Sequence, residues 1–257
     1  MNANPDRNLA VRAFWEQEPC GTNMRVTGEA EPLSREWFET VERNRYLQEP
    51  MIHAAAQFTR HRGKRLLEIG VGAGTDHLQW ARAGCECHGV DLTDAAVETT
   101  RARLALYGFT SSLQRLDAET LPFDDASFDL VWSWGVIHHA DHPERIVAEI
   151  HRVLAPGGEF RGMFYKRRSL AVLKEWIKHA LLAGRPFRSF ADVLAHHFES
   201  PGTKAYTRGE MDRMFSAFCE VTLESVMTPY DLQHLPQFLA GWIPDAFGSF
   251  FVIRAVK

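Results

Sequence analysis

The sequence predicts an α/β fold built on a mostly parallel sheet, and three observations predict it. An apolar run ending in an acid and a glycine-rich loop, Leu66 to Asp76 (LLEIGVGAGTD), is a strand turning into a nucleotide-binding loop. A second strand, Cys85 to Thr93 (CECHGVDLT), ends in an acid about 20 residues after the glycines, the spacing at which a carboxylate meets a ribose. Strands and helices then alternate to Tyr165, which argues for right-handed crossovers and for ligands at the carboxyl ends of the strands.

Taken in order, Pro32 to His61 carries Trp37, Phe38, Val41, Tyr46, Leu47, Ile52 and Phe58 at helix-like intervals, so a helical segment leads into the core. In the glycine loop, Gly70, Gly72 and Gly74 let the backbone turn tightly and let a flat ligand come close. The sixth position of a dinucleotide motif would be a third glycine, but Thr75 stands there. Glu68, just before the loop, suits a cationic or hydroxyl-bearing ligand better than a diphosphate. Asp91 is the expected ribose ligand, and Thr93 begins a helix that runs to Tyr107 before Gly108. A helix over Asp141 to Leu154 follows from the stripe Ile146, Val147, Ile150, Val153 and Leu154, with Pro156, Gly157 and Gly158 as its stop and Phe160 to Tyr165 as the fifth strand.

The stretch Leu113 to Tyr165 reads as strand, acidic loop, strand, histidine-rich loop, helix, turn and strand. With EIGVGAGTD, GVDLT, LDAETLPFDDASFDLV and RVLAPGGEF in order over about Lys64 to Tyr165, the chain closely resembles class I S-adenosylmethionine (SAM)-dependent methyltransferases. The resemblance is strongest to the small-molecule branch that includes the quinone-biosynthesis C-methyltransferases. It implies a Rossmann-like sheet of seven strands, with Cys219 to Met227 as the sixth and FFVIRAVK as an antiparallel seventh. It also implies that Glu68, Gly70, Gly72 and Gly74 line the methionine end of SAM. Asp91 would hold the ribose, Leu92 would lie against the adenine, and Asp117 with Ala118 would meet the adenine edge. Ser133, Trp134 and Gly135 would border the sulfonium. Val71 stands where many relatives carry a cysteine, and the bulky Trp134 is expected to shape the substrate side.

Composition narrows the class. A chain of 257 residues, 45% hydrophobic, is long enough for one sizeable α/β domain with additions. A net charge of −4 argues against nucleic acid as partner, which would call for a basic surface. The first residues lack the apolar core of a signal peptide, and no run of about 18 apolar residues occurs, so neither export nor a transmembrane segment is indicated and a cytoplasmic location is expected. Cys20, Cys85, Cys87 and Cys219 form no disulfide framework, and Cys85 and Cys87 share one face of a core strand as small hydrophobes.

Between the fifth strand and Arg208 lie about 40 residues that a minimal fold does not require, and this insert is the expected substrate cap. Leu170, Leu173, Trp176, Ile177, Ala180 and Leu181 make an apolar helical stripe in it, flanked by many basic residues. The alternatives are a cap packed on the core with a solvated basic face and a surface that attracts an anionic or lipid-like substrate. Two further segments, FWEQEPCGT and HFESPGTKAYTRGEMDRMF, also resemble bacterial small-molecule methyltransferases. They make Trp15, Cys20, Thr22, Tyr165, His196, His197, Tyr206 and Arg208 substrate-site candidates.

Methyl transfer needs chiefly geometry, with a base only if the acceptor must lose a proton. His139 is the first candidate for that base or for an orienting group, and His138 the second. A metal site from His138, His139, Asp141 and His142 fits by ligand type but is not expected, because adjacent residues rarely converge on one ion and Asp141 reads as a helix cap. The expected organisation is a helical cover over 1–60, a SAM-binding core over 61–165 and 204–257, and a cap over 166–203. The expected activity is methyl transfer from SAM to a small molecule, preferably to oxygen or carbon of a phenolic, quinone or natural-product scaffold, with amine and thiol acceptors open. The competing classes are a non-catalytic SAM-binding protein and a nicotinamide-dependent oxidoreductase.

Overall fold

The computed structural model describes residues 6–17, 19–232 and 242–257; the parts of the expected cover at 1–5 and 18, and of the expected core at 233–241, lie outside the described residues. Seven strands form one sheet: β1 (Arg65–Ile69), β2 (Glu86–Asp91), β3 (Ser112–Arg115), β4 (Phe128–Trp134), β5 (Leu154–Tyr165), β6 (Glu220–Val226) and β7 (Phe250–Val256). Their order is β3-β2-β1-β4-β5-β7-β6, with β1 to β5 parallel and β7 antiparallel to both its neighbours. This is the Rossmann-like sheet of the expectation. β1 lies between β2 and β4, so the chain switches direction of travel across the sheet there and leaves a crevice at the carboxyl ends.

Successive residues of a strand face opposite sides, and the sheet uses both. Leu67, Val131 and Phe160 pack with the buried stripe of the helix Pro143–Val153 on one side, whereas Leu66, Leu130 and Trp132 pack with Trp80 and Phe58 on the other. Cys87 is buried in the second of these layers and all four cysteines are free thiols.

Three local readings change. β5 begins at Leu154, directly after the helix, because Pro156 to Gly158 do not end pairing but bend it: β5 shifts register against β4 between Phe128 and Leu130, and the Gly157 amide donates to the Lys257 carbonyl at 3.0 Å. Asp141 is not a cap, since Pro143 is the first helical residue and His142 holds the cap position with no side-chain bond. In the insert, the helix Leu170–Trp176 continues as a π-helical turn, Ile177–Leu181, before a second helix, Phe190–His197. The apolar stripe faces the core only in part: Val172 and Ala180 are buried, while Leu173, Ile177 and Leu181 are exposed.

Two helices before β1 position the site. The helix Asp6–Gln17 docks on the start of the helix Asp94–Leu106, where the Glu16 carboxylate accepts the Ala95 amide at 2.8 Å and Arg12 pairs with Asp94 at 3.0 Å. The helix Arg35–Gln48, capped by Ser34, is held by Arg103, which is fully buried. Its guanidinium donates to the Ala73 carbonyl (3.1 Å), Thr75 Oγ1 (2.6 Å), the Phe38 carbonyl (3.0 Å) and Glu42 (2.8 Å), and lies over the Phe38 ring. Replacing Arg103 by Met leaves Glu42 and two carbonyls without their donor. Urea denaturation of Arg103→Met is therefore expected to show a loss of about 3–5 kcal/mol; a loss under about 1 kcal/mol, the range of exposed pairs, would contradict the clamp.

Candidate active site

The crevice at the carboxyl ends of β1, β2 and β4 opens into one continuous cavity. The loop after β1 forms its floor. Gly70, in left-handed conformation, sits so close to Val136 that a Cβ there would lie 2.2 Å from its side chain. The Gly72 amide donates to Asp91 Oδ2 at 3.1 Å, and nothing lies within 4 Å of where its side chain would be, so this face is open. Gly74 is different: it does not line the cavity, and a Cβ would meet Thr100 at 2.9 Å. Its role is to let the helix Thr75–Ala83 pack against the helix Asp94–Leu106.

Asp91, Leu92, Asp117 and Ala118 line one end of the cavity. Asp91 Oδ1 also accepts the Thr93 amide (3.0 Å) and hydroxyl (2.9 Å), and burial still pushes its carboxyl up despite these bonds. Asn8, from the first helix, donates to Asp117 Oδ2 at 2.9 Å and accepts the Asp141 amide at 2.9 Å, so that helix closes over this end.

Glu68 lines the middle and is buried. Its carboxyl lies 2.9 Å from His77 Nδ1, and His77 Nε2 lies 2.8 Å from Ser111 Oγ, whose proton goes to the Cys87 carbonyl at 2.7 Å. Nε2 must therefore carry a proton, and a single proton is left to lie between Glu68 and Nδ1. Burial pushes Glu68 well up and His77 down to about 4, so both directions favour the neutral pair, with the proton on Glu68.

The other end is bounded by Trp134, Gly135, Tyr165, His139, Trp15 and Cys20. Trp134 stacks on Trp132 and donates its indole N–H to Glu49, whose carboxyl burial pushes up. Asp76 accepts from Arg45 at 2.7 Å, from Tyr46 at 3.1 Å and from Trp132 at 3.2 Å. Tyr165 is hydrogen-bonded to Glu199, and burial, with that carboxylate beside it, holds its hydroxyl protonated. His139 Nδ1 lies 2.8 Å from Ser200 Oγ and 3.0 Å from Thr203 Oγ1, its Nε2 faces Glu199 at 3.3 Å, and its ring meets Trp15 edge-on.

Several candidates lie elsewhere. Ser133 is buried and donates to the Ile69 carbonyl, and Thr22 is buried and donates to Pro19. His138 is wholly buried behind His139, beside the Tyr165 ring, and burial pushes it well down. His196 and His197 are exposed on the cap, His197 stacked on His179. Tyr206 and Arg208 line a separate, basic hollow with Lys166, because the backbone of Tyr206 pairs with Tyr165 on the far side of β5. Of the residues that sequence reasoning missed, Asp76 and His77 directly follow the glycine loop, whereas Asn8, Arg45, Glu49, Glu199 and Tyr230 come from distant segments.

The neutral Glu68–His77 pair has a measurable consequence. Glu68→Gln can still donate to Nδ1, so its urea stability should stay within about 1 kcal/mol, whereas Glu68→Leu orphans Nδ1 and should cost about 1–3 kcal/mol. A loss above about 3 kcal/mol in the Gln variant would instead indicate a buried ion pair.

Known proteins resemble the chain in sequence and in fold. Residues 67–161 match the methyltransferase domain family. Over 143 residues the chain is 36% identical to phthiotriol/phenolphthiotriol dimycocerosates methyltransferase 1 of Mycobacterium ulcerans (strain Agy99), covering 55% of this chain and 51% of that protein. Over 116 residues it is 34% identical to the uncharacterized methyltransferase YcgJ of Bacillus subtilis (strain 168), covering 45% and 46%. The chain thus spans about half the length of the curated relatives it matches. The crystal structure of YcgJ superposes with a TM-score of 0.52 at 23% identity, covering 81% of this chain and 97% of that one. An S-adenosylmethionine-dependent methyltransferase from Mesorhizobium loti superposes with a TM-score of 0.57 at 19% identity, covering 77% and 92%, which is a likeness of fold. In its motifs, its sheet order and its relatives the chain is similar to class I SAM-dependent methyltransferases, with a methyltransferase domain over residues 67–161, and this likeness implies SAM as the cofactor.

Proposed function

We propose that the protein transfers a methyl group from SAM to a nucleophilic atom of a small molecule held between Trp134, Tyr165 and His139. The observation that carries this reading is the single cavity running from Asp91 and Asp117 past the open face of Gly72 to an aromatic end beside Trp134 and His139. A plugged rim would favour a non-catalytic SAM-binding protein, whereas a cavity that extends to Trp134 and His139 supports the enzyme. The Thr75 position and the order of motifs speak against nicotinamide chemistry.

SAM, when bound, supplies an electrophilic methyl on a sulfonium. Asp91 would hold the ribose hydroxyls, with Leu92, Asp117 and Ala118 about the adenine, and Glu68, Gly70, Gly72 and Gly135 along the methionine end. The Glu68–His77 pair offers a hydrogen-bonding group without net charge there. Gly74, Ser133, Thr22, His138, Tyr206, Arg208, His196 and His197 are not among the groups that would touch either ligand. Trp15, Cys20 and Tyr165 are the substrate-side residues that remain, joined by Glu199 and Tyr230. His139, fixed by Ser200 and Thr203, would orient the acceptor and ease loss of its proton. The helices before β1 would act as a cover and residues 166–203 as the substrate cap. The acceptor atom is oxygen or carbon in the preferred reading, with nitrogen and sulfur open, and the relatives' small-molecule acceptor supports the class.

Calorimetric titration with SAM, S-adenosylhomocysteine (SAH) and NAD(H) tests the reading: micromolar binding of the first two alone is expected, and binding of NAD(H) alone would overturn it. Asp91→Ala should weaken SAH binding by about 10–100-fold, the worth of a charged hydrogen bond. His139→Ala should lower turnover by about 10²-fold or more on an acceptor found by screening, with SAH affinity kept; unchanged turnover would remove His139 from the chemistry.

A further inference from the structure

We propose that His138, His139 and Glu199 bind one divalent transition-metal ion of the zinc type at the acceptor end of the cavity. The histidines stand on the 3₁₀ turn Ile137–His139 after β4, and Glu199 comes from the cap just beyond the helix Phe190–His197. Each offers one ligand atom, and these atoms lie within 4.8 Å of one another. Bonds of about 2.0 Å in a tetrahedral site would bring the ligands to about 3.3 Å apart. Glu199, whose side chain is 39% exposed, has the freedom to close that gap.

Two independent observations point to a ligand. His138 is wholly buried, yet neither of its ring nitrogens has a hydrogen-bond partner, an arrangement that costs free energy unless something else meets a lone pair. His61 is also buried without a partner, but it packs against Trp80 and belongs to no such cluster, and His138, His139 and Glu199 form the only three-ligand group of this kind among the described residues. Secondly, His139 is held from behind in the manner of a metal ligand. The Thr203 hydroxyl spends its proton on the Ser200 carbonyl at 2.7 Å, and with the Ser200 hydroxyl donating to Thr203 Oγ1 at 3.4 Å the Ser200 oxygen, 2.8 Å from Nδ1, accepts from His139 Nδ1–H. A proton on Nδ1 leaves the lone pair on Nε2, which faces Glu199.

Two imidazoles and one carboxylate select zinc-like ions over magnesium or calcium, and a set of three protein ligands leaves a position open toward the cavity that Glu199 and His139 line. The site rests on the proposed methyl transfer only for its use. There an acceptor O–H, N–H or S–H bound at the open position would release its proton to solvent more readily; the bond then formed joins the acceptor atom to the methyl carbon, and the bond broken is carbon to sulfur. His139 then acts as an orienting group through the ion.

The test uses tag-free full-length protein, stripped of metal with a chelator and titrated with Zn²⁺ by calorimetry and with Co²⁺ by visible absorption. One equivalent should bind with Kd below about 10 µM, giving the d–d bands of a low-coordinate cobalt site. Both His138→Ala and the partly exposed Glu199→Gln should weaken binding at least about 10-fold, and the second keeps the test open where the first fails to fold. No stoichiometric binding, or affinity unchanged in Glu199→Gln, would overturn the site. SAH titration of the same samples separates the two readings: SAH binding without metal binding removes only the ion, and a cobalt spectrum without SAH binding removes only the methyltransferase reading.

Discussion

The buried guanidinium of Arg103 is the interaction on which the site's shape depends. It reaches from the helix after β2 to the glycine loop at Ala73 and Thr75, and to the helix Arg35–Gln48 at Phe38 and Glu42. A charge in that position is tolerated because both terminal nitrogens donate, one of them to the carboxylate of Glu42. The loop, the cover and the helix Asp94–Leu106 consequently hold one geometry together. Gly74 belongs to the same arrangement, since its missing side chain is what lets the two helices meet at Thr100.

Around that fixed floor the cavity keeps its charges in balanced sets. Asp76 is neutralised by Arg45, and Glu68 shares a proton with His77. Asp91 is tied to the loop by the Gly72 amide. Glu49 and Glu199 lie at the aromatic end of the cavity, each hydrogen-bonded to an aromatic side chain, Trp134 and Tyr165. The wall there is therefore polar at chosen points within an otherwise apolar surface, which suits orientation of a bound molecule more than broad electrostatic capture.

What the sequence reveals and what it conceals divide along physical lines. The strands β1, β2 and β4 and the turn after β1 are written in local patterns, apolar runs closed by glycine or acid, so Glu68, Gly70, Gly72 and Asp91 stand out by residue type and spacing and Trp134 by the resemblance, and all five line the cavity. Gly74 and Ser133 follow the same patterns but serve packing, because a motif does not say which side of a turn a residue faces. Glu49, Arg45 and Glu199 escape notice for the opposite reason: they reach the cavity through tertiary docking of segments with ordinary surface composition. Tyr206 and Arg208 are misassigned because strand pairing beyond Tyr165 carries them to the other side of the sheet. In the cap, the stripe read as core-facing is exposed at Leu173 before the π-helical turn and at Ile177 and Leu181 within it, because helical spacing alone does not say which face is covered.

The central claim is that the loop after β1 and the helix Asp6–Gln17 form one cofactor enclosure, joined through Asp91, Asn8 and Glu16. Amide hydrogen exchange with and without saturating SAH tests it most directly. Slower exchange is predicted both in residues 70–76 and 91–96 and in the helix Asp6–Gln17, because ligand binding stabilises the elements that close over it. Protection confined to the loop, with the helix unchanged, would contradict the enclosure.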